Sequence, residues 1–314
     1  RGTPLAPPAR RNWLSWRINC AAVLALAKCR ERVLVSPRMV ADGSATTPPP
    51  PSSQSLAPPH STEQTGAMLK LSDFAGRLLR TDTPGTLGKP SHLLAKEAID
   101  AGRLEEAKQL TRTAHDEFKS LHDLYCDWIW DMLSNIAKRF GEAEVYTMLR
   151  ATQDKWMLRR TWKAFRNMAV KAQVDLTAEM MRAHRCGPKQ DGEILITEDE
   201  EKFTIIMDPC GSGGRMRRGD TKDGTPSRLG PPYDFGVTKE AHPWSWGRKD
   251  VPYYCTHCAV NEILPIEWGG YPLWVTDFDP DASKPCLWRF YKKPELIPES
   301  YWTRVGKTKP NSFD

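Results

Sequence analysis

From Leu104 to Phe140 apolar residues recur every three or four positions, with Leu110, Ala114, Phe118, Leu121, Tyr125, Trp128, Met132 and Ile136 on one stripe. A repeat near 3.6 sustained over that length predicts one long amphipathic helix, and Gly141 supplies its stop. The same period starts at Ser91, read as an N-cap, and persists to Arg185, which predicts four helices in all. One of these covers Glu142 to about Trp156 and another runs from about Thr161 to His184, ahead of the Cys186-Gly187-Pro188 breaker. These helices are expected to pack on one another. After Asp191 the period falls to two. Segments 192–197 and 202–207 flank the acidic turn 198–201 as a hairpin, and 273–277 and 286–291 read as strands joined through Asp279-Pro280-Asp281. The expectation is an α+β fold. A helical half, 91–185, packs with an antiparallel β-rich, loop-rich half, 192–305, in one domain spanning 91–305, followed by a tail over 306–314.

The first ninety residues read differently. They hold 12 of the 26 prolines amid Ser, Thr and Ala, too little apolar surface to offset the entropy of ordering them, and are expected to be a disordered leader. Arg10 and Arg11 ahead of the short apolar run 18–27 resemble a twin-arginine export signal. Arg17 interrupts that pattern. A start placed too far upstream, with Met39 or Met68 as the true start, explains the stretch with fewer assumptions and favours a cytoplasmic protein. Charge follows the same division, with 12 Lys and Arg against 5 Asp and Glu in residues 1–90 and 33 against 34 in 91–314. A surface without cationic excess argues against a nucleic-acid partner. No apolar run reaches the roughly 18 residues of a membrane span, so a membrane role is not expected. The expected partner is a small-molecule substrate, with homo-oligomerisation left open.

The chemistry concentrates after residue 207. Strand 202–207 runs into Asp208-Pro209-Cys210-Gly211-Ser212-Gly213-Gly214-Arg215, where Gly211, Gly213 and Gly214 leave backbone amides open as a nest for an anion. Arg215, with Arg217 and Arg218 behind it, is the candidate anchor for a substrate carboxylate. The Lys-Ser/Thr ending of a P-loop is missing, and no helix is expected after the glycines. The bland alternative is a glycine-rich turn. Cys210 is a candidate nucleophile if a base lies within reach.

Further on, Tyr254-Cys255-Thr256-His257-Cys258 holds two cysteines at the spacing that clasps one tetrahedral metal ion. Cys255 and Cys258 supply half a site, completed by Cys210, His242, His257 or Cys286, with zinc or iron as the metal. Three protein ligands would leave a position for an activated water; four would close the shell. The same pair also fits a thioredoxin-like oxidoreductase, whose thiol sits at a helix N-terminus, or two inert buried thiols. His122 and Cys126, four apart on the long helix, share a face and read more simply as core residues than as ligands. Trp268, Tyr271, Trp274, Trp288, Tyr291, Tyr301 and Trp302 are mostly core, with some lining a pocket whose polar anchors include Glu262, Glu267 or Arg289.

The order of helices, then Pro209-Cys210, then Tyr254-Cys255, then Cys286-Leu287-Trp288-Arg289-Phe290 resembles the L-2-amino-thiazoline-4-carboxylic acid hydrolase-like family over residues 120–292. The chain departs from that layout in its glycine-rich loop, its long insertion to His242 and the Cys-x-x-Cys itself. The resemblance implies a hydrolase that opens a small heterocyclic or amide-like ring in an amino-acid-like carboxylate. The leading expectation is thus a metal-assisted small-molecule hydrolase, with Cys210, His257 and Glu262 as catalytic candidates. Gly211, Gly213, Gly214, Arg215 and Arg289 would bind substrate, and Cys255, Cys258, His242 and Cys210 the metal. The alternatives are a non-catalytic sensor domain with structural zinc and a Cys-x-x-Cys oxidoreductase.

Overall fold

The computed structural model describes residues 67–73 and 77–313. The Arg10-Arg11 stretch and the rest of the leader up to residue 66 lie outside the described residues. Regular structure begins earlier than residue 91. Strands β1 (Leu69–Ser72) and β2 (Arg77–Arg80) form an antiparallel hairpin, followed by a single helical turn, α1 (Pro84–Leu87). Arg80 ties the hairpin to the chain beyond it, donating to Asp82 (2.7 Å) and to the Ser91 hydroxyl (3.1 Å). Ser91 opens helix α2 (Ser91–Asp100) as its first residue, with Pro90 in the N-cap position. Its hydroxyl donates to Glu117 (2.6 Å) on the next helix, α3 (Leu104–Phe140), so the expected local cap is a tertiary contact instead. Leu94, Ala95, Ala98, Ala107 and Leu110 close the α2/α3 turn over a small core of their own.

Helix α3 has the expected ends but not the expected buried face. Phe118, Leu121, Tyr125, Trp128 and Met132 are exposed, while Lys119, Cys126, Trp130 and Leu133 are buried. The reason is electrostatic. Asp123 and Asp127 on the same helix receive Arg215 and Arg228 from the second half of the chain, and that ion pairing, with Trp130 donating to the Gly236 carbonyl (2.8 Å), decides which stripe turns inward.

Gly141, at φ 92°, ends α3, and α4 (Glu142–Thr152) begins at once. A π turn over Gln153–Met157 leads into α5 (Leu158–Phe165), and a break precedes α6 (Val170–Arg182), so the expected helix over 161–184 is two. The second half is a four-stranded antiparallel sheet in the order β3-β4-β6-β5, from β3 (Leu195–Glu198), β4 (Lys202–Met207), β5 (Val275–Asp277) and β6 (Cys286–Tyr291). Register places Met207 opposite Cys286, Ile205 opposite Trp288 and Trp288 opposite Thr276, so these side chains share the inner face. Between β4 and β5 come α7 (Gly213–Arg218) and α8 (Thr256–Gly269); α9 (Ser300–Thr303) follows β6. Ala259, Val260, Ile263, Leu264 and Ile266 bury nearly the whole circumference of α8. Helix α6 packs on β4 and β6, and α8 on β5, α4 and α5. The architecture is α+β, as the change of period indicates. Residues 306–313 are not a loose tail: Lys309 donates to the Ile297 carbonyl (2.7 Å) and Phe313 packs on Tyr271 and Trp302. Among the described residues no helix is long and apolar enough to cross a membrane.

One buried network joins the halves. Arg215 pairs with Asp123 and with Asp220 (2.6 Å), and Lys119 lies 2.7 Å from both of those carboxylates and against Asp223. Burial alone would raise the Asp220 pKa, but hydrogen bonds from Lys119 and Gln190 and the charge of Arg215 hold it at about 2. Asp123 is held lower still against the same burial, by hydrogen bonds from His122 and Arg215. Folded-state pKa values below the unfolded one give stability that is full above about pH 4 and lost as pH falls through the folded values. Acid unfolding is therefore expected between about pH 4 and 2 in far-UV circular dichroism. Arg215→Ala should cost about 3–5 kcal/mol in urea unfolding at pH 7, because Asp220 would stay buried and under-compensated.

Candidate functional site

A cavity of about 470 Å³ opens between the sheet and three helices. Its floor is the inner sheet face: Met207 from β4, Cys286 and Trp288 from β6, Thr276 from β5 and Trp274 just before it. Helix α5 contributes Leu158, Thr161 and Phe165, α6 contributes Thr177, Met181 and His184 just past its end, and α8 contributes His257 and Asn261, four apart and so on one stripe. Exposed lining residues, Met157, Arg160, Ala164, Leu176 and Met180, all come from the α5 and α6 side and mark the mouth. Arg160 has no ion pair among the described residues. The wall is overwhelmingly apolar, the usual condition for a site that takes up a small organic ligand.

Cys210 lines the cavity where β4 gives way to the glycine loop. Its thiol is held well below the ordinary range, first by a hydrogen bond from the Cys286 thiol, then, against burial, by the backbone amides of Gly214 and Ser212. The nest of amides expected for a substrate anion thus serves the chain's own sulfur. Each glycine is fixed by crowding. A Cβ on Gly211 would lie 2.4 Å from the Arg185 backbone, one on Gly213 would lie 2.4 Å from Cys255 Sγ, and one on Gly214 would lie 2.9 Å from Cys210 Cβ. A short helix, α7, does follow the glycines, contrary to expectation, because the Arg215 amide bonds the Cys210 carbonyl (2.8 Å) and starts a turn.

The other thiols are the reverse case. Burial pushes Cys126, Cys186 and Cys255 up to about 12, and Cys258 is driven well above its usual range. Cys286 is raised by its hydrogen bond to Cys210 and by burial, the opposite direction to Cys210. Two histidines face the cavity. His257 Nδ1 bonds the Tyr254 carbonyl, which leaves Nε2 as an acceptor, 3.4 Å from Cys258 Sγ. His184 Nδ1 donates to the Met180 carbonyl (3.0 Å), and its ring meets His122 edge-on at 5.2 Å between centroids. Burial lowers the pKa of both His184 and His257, so each is a neutral imidazole near pH 7. Tyr254, also on the cavity wall, has its hydroxyl 3.2 Å from Cys126 Sγ, which brings the helical half to the site.

Several expected site residues stand elsewhere. Arg215 is 1% exposed and spends its guanidinium on Asp123, Asp220 and the Gly211 carbonyl, so it does not face the cavity. Arg289 pairs with Asp277 (2.6 Å) outside the cavity. Glu262 is fully buried, bonded by Arg304, by Trp246 Nε1 (3.1 Å) and by the Thr276 amide (2.8 Å), and it fixes α8 to β5 without lining the cavity. His242 stacks on Trp244 and contacts Glu142 (3.1 Å), away from Cys255 and Cys258. Among the described residues one group of three or more His, Cys, Asp or Glu has its ligand atoms within 4.8 Å of one another, namely Asp123, Asp220 and Asp223. Lys119 Nζ already stands among those carboxylates in the place a cation would take. Of the residues singled out in the sequence, Cys210, Gly213, Cys255, His257 and Cys286 line the cavity. The sequence misses His184 and Asn261. Their signal was positional only: His184 extends the α6 stripe and Asn261 lies four residues after His257.

Comparison with family models, with curated proteins and with solved structures finds no match to this chain. The glycine loop yields a direct prediction. Gly213→Ala should destabilise by about 1–3 kcal/mol through overpacking against Cys255 and raise the pH midpoint of Cys210 alkylation. Gly230→Ala, where an added Cβ meets nothing within 4 Å, should stay within about 0.5 kcal/mol of the parent in the same urea titration.

Proposed function

We propose that the protein is a small-molecule hydrolase that uses Cys210 as a covalent nucleophile on an amide-like or heterocyclic substrate. The observation that carries this reading is a thiol with a depressed pKa facing an apolar cavity, in a chain whose five other described cysteines are not held as thiolates. The segments behind the resemblance to the thiazoline-carboxylate hydrolases supply three wall residues, Cys210, Cys255 and Cys286, which supports it further. In this mechanism the Cys210 thiolate attacks an sp² carbon, the carbon–sulfur bond forms, and the leaving nitrogen departs with a proton from solvent. Water then attacks the thioester, His184 Nε2 takes its proton and releases it to solvent, and the carbon–sulfur bond breaks to restore the thiolate. Arg160 at the mouth takes over from Arg215 as the candidate anchor for a substrate carboxylate. Metal assistance is not part of this proposal, because the Cys255–Cys258 pair finds no third donor among the described residues.

A second reading, thiol oxidoreduction, is favoured by the hydrogen bond between Cys210 and Cys286. The two readings part at Cys286. Hydrolysis survives Cys286→Ser, whereas disulfide exchange does not.

Iodoacetamide should alkylate Cys210 before any other cysteine in the described part of the chain, with a pH midpoint below the ordinary thiol value of about 8.5. The 4-nitroanilide or 4-nitrophenyl ester of phenylacetic acid should leave its acyl group on the Cys210 peptide in mass spectrometry. Cys210→Ala should lower kcat/KM by about a thousandfold or more. Turnover that persists in Cys210→Ala, or alkylation that starts at Cys258, would overturn the proposal.

A further inference from the structure

Among the described residues, three that line the cavity each carry a buried polar side-chain atom without a hydrogen-bond partner: Asn261 Oδ1, Trp274 Nε1 and Thr276 Oγ1. Their residues are 7%, 5% and 2% exposed. Native structures rarely leave such atoms unpaired, because each costs the full desolvation of the group, and three around one cavity mark a place where a partner belongs. We propose that the inner end of the cavity binds an uncharged carboxamide group, whose hydrogen-bonding edge is read by Asn261, Trp274 and Thr276.

The donor and acceptor inventory selects that class. An indole N–H only donates, so Trp274 calls for an acceptor on the ligand; Asn261 Oδ1 only accepts and calls for a donor; the Thr276 hydroxyl serves either. A carboxamide carries a carbonyl oxygen and an N–H side by side. Turning the Asn261 amide over exchanges its acceptor for a donor, and a carboxamide satisfies that orientation too. A carboxylate offers acceptors alone and would bring a second negative charge towards the Cys210 thiolate. An ammonium offers donors alone and leaves Trp274 unpaired.

The charges close to the wall are already spent on each other, in the Arg215–Asp123–Asp220 network and in the Glu262–Arg304 pair. The one lining cation, Arg160, stands at the exposed mouth. The body of the ligand meets Phe165, Met181, Met207 and the parallel stack of Trp274 on Trp288, whose centroids lie 5.4 Å apart, so an aromatic or branched apolar group fits. The proposal deepens the hydrolase reading and rests on it only for the fate of the bound amide; binding needs no thiol chemistry.

The test uses the full chain and three probes, benzamide, benzoate and toluene, followed by calorimetry and tryptophan fluorescence. Benzamide should bind the parent and Cys210→Ser alike, and benzoate at least tenfold more weakly. Thr276→Val and Asn261→Leu should each weaken benzamide about tenfold while leaving toluene unchanged, toluene serving as the check that the cavity is intact. The proposal is overturned if benzoate binds as well as benzamide, if the two variants bind benzamide like the parent, or if neither benzamide nor toluene enters. Benzamide binding as described beside an unreactive Cys210 would sink the hydrolase reading alone. A reactive Cys210 beside benzamide that behaves like toluene would sink this proposal alone.

Discussion

The buried contact of Arg215 with Asp123 and Asp220 is the constraint on which the site depends. It joins the long first-half helix to the loop that carries Cys210, and through Arg215 Nε it also holds the Gly211 carbonyl (3.0 Å). Buried ion pairs are weak evidence of net stability, since desolvation consumes most of the Coulombic gain. Their use here is positional. Two unpaired aspartates under the surface would be far more costly than the paired set, so α3 has one rotation that satisfies them, and that rotation also places Cys126 under Tyr254.

Cysteine illustrates how environment outweighs residue type. Six described thiols surround or adjoin one region, and the same burial that silences Cys126, Cys186 and Cys255 also acts on Cys210. What reverses the outcome at Cys210 is the set of donors aimed at its sulfur: one thiol and two amides exposed by the absence of glycine side chains. Opposite protonation preferences within one small volume are the arrangement from which nucleophilic chemistry is built.

Fold class, the long helix and the strand pairings were legible in the sequence because they depend on period, and the structure keeps them. The α3 face was not, because a hydrophobic count gives Phe118, Leu121, Tyr125 and Trp128 more weight than Asp123 and Lys119, while the fold spends the charged stripe inside. Arg215 shows the same limit. An arginine after a glycine loop looks like an anion anchor until Asp123, 92 residues earlier, and Asp220, 5 residues later, come into view. The convergence of Cys210, His257 and Cys286 could be guessed from residue type, whereas the roles of His184, Asn261 and Thr276 depend on three elements distant in sequence meeting around one cavity. Glu262 reads in the sequence as a catalytic candidate and pocket anchor, but its partners Arg304 and Trp246 make it a strut.

The π turn at Gln153–Met157 lies between α4 and α5 in a nearly continuous helical rod. Such a turn carries one more residue than its neighbours, and each residue advances a helix by about 100°. Val145 upstream and Leu158 downstream of it are both buried. The aim of the α5 wall of the cavity is therefore set by a single residue of length rather than by any side chain. A lineage that gained or lost one residue there could re-aim Leu158, Thr161 and Phe165 and change what the cavity admits while the sheet, the glycine loop and Cys210 stayed where they are.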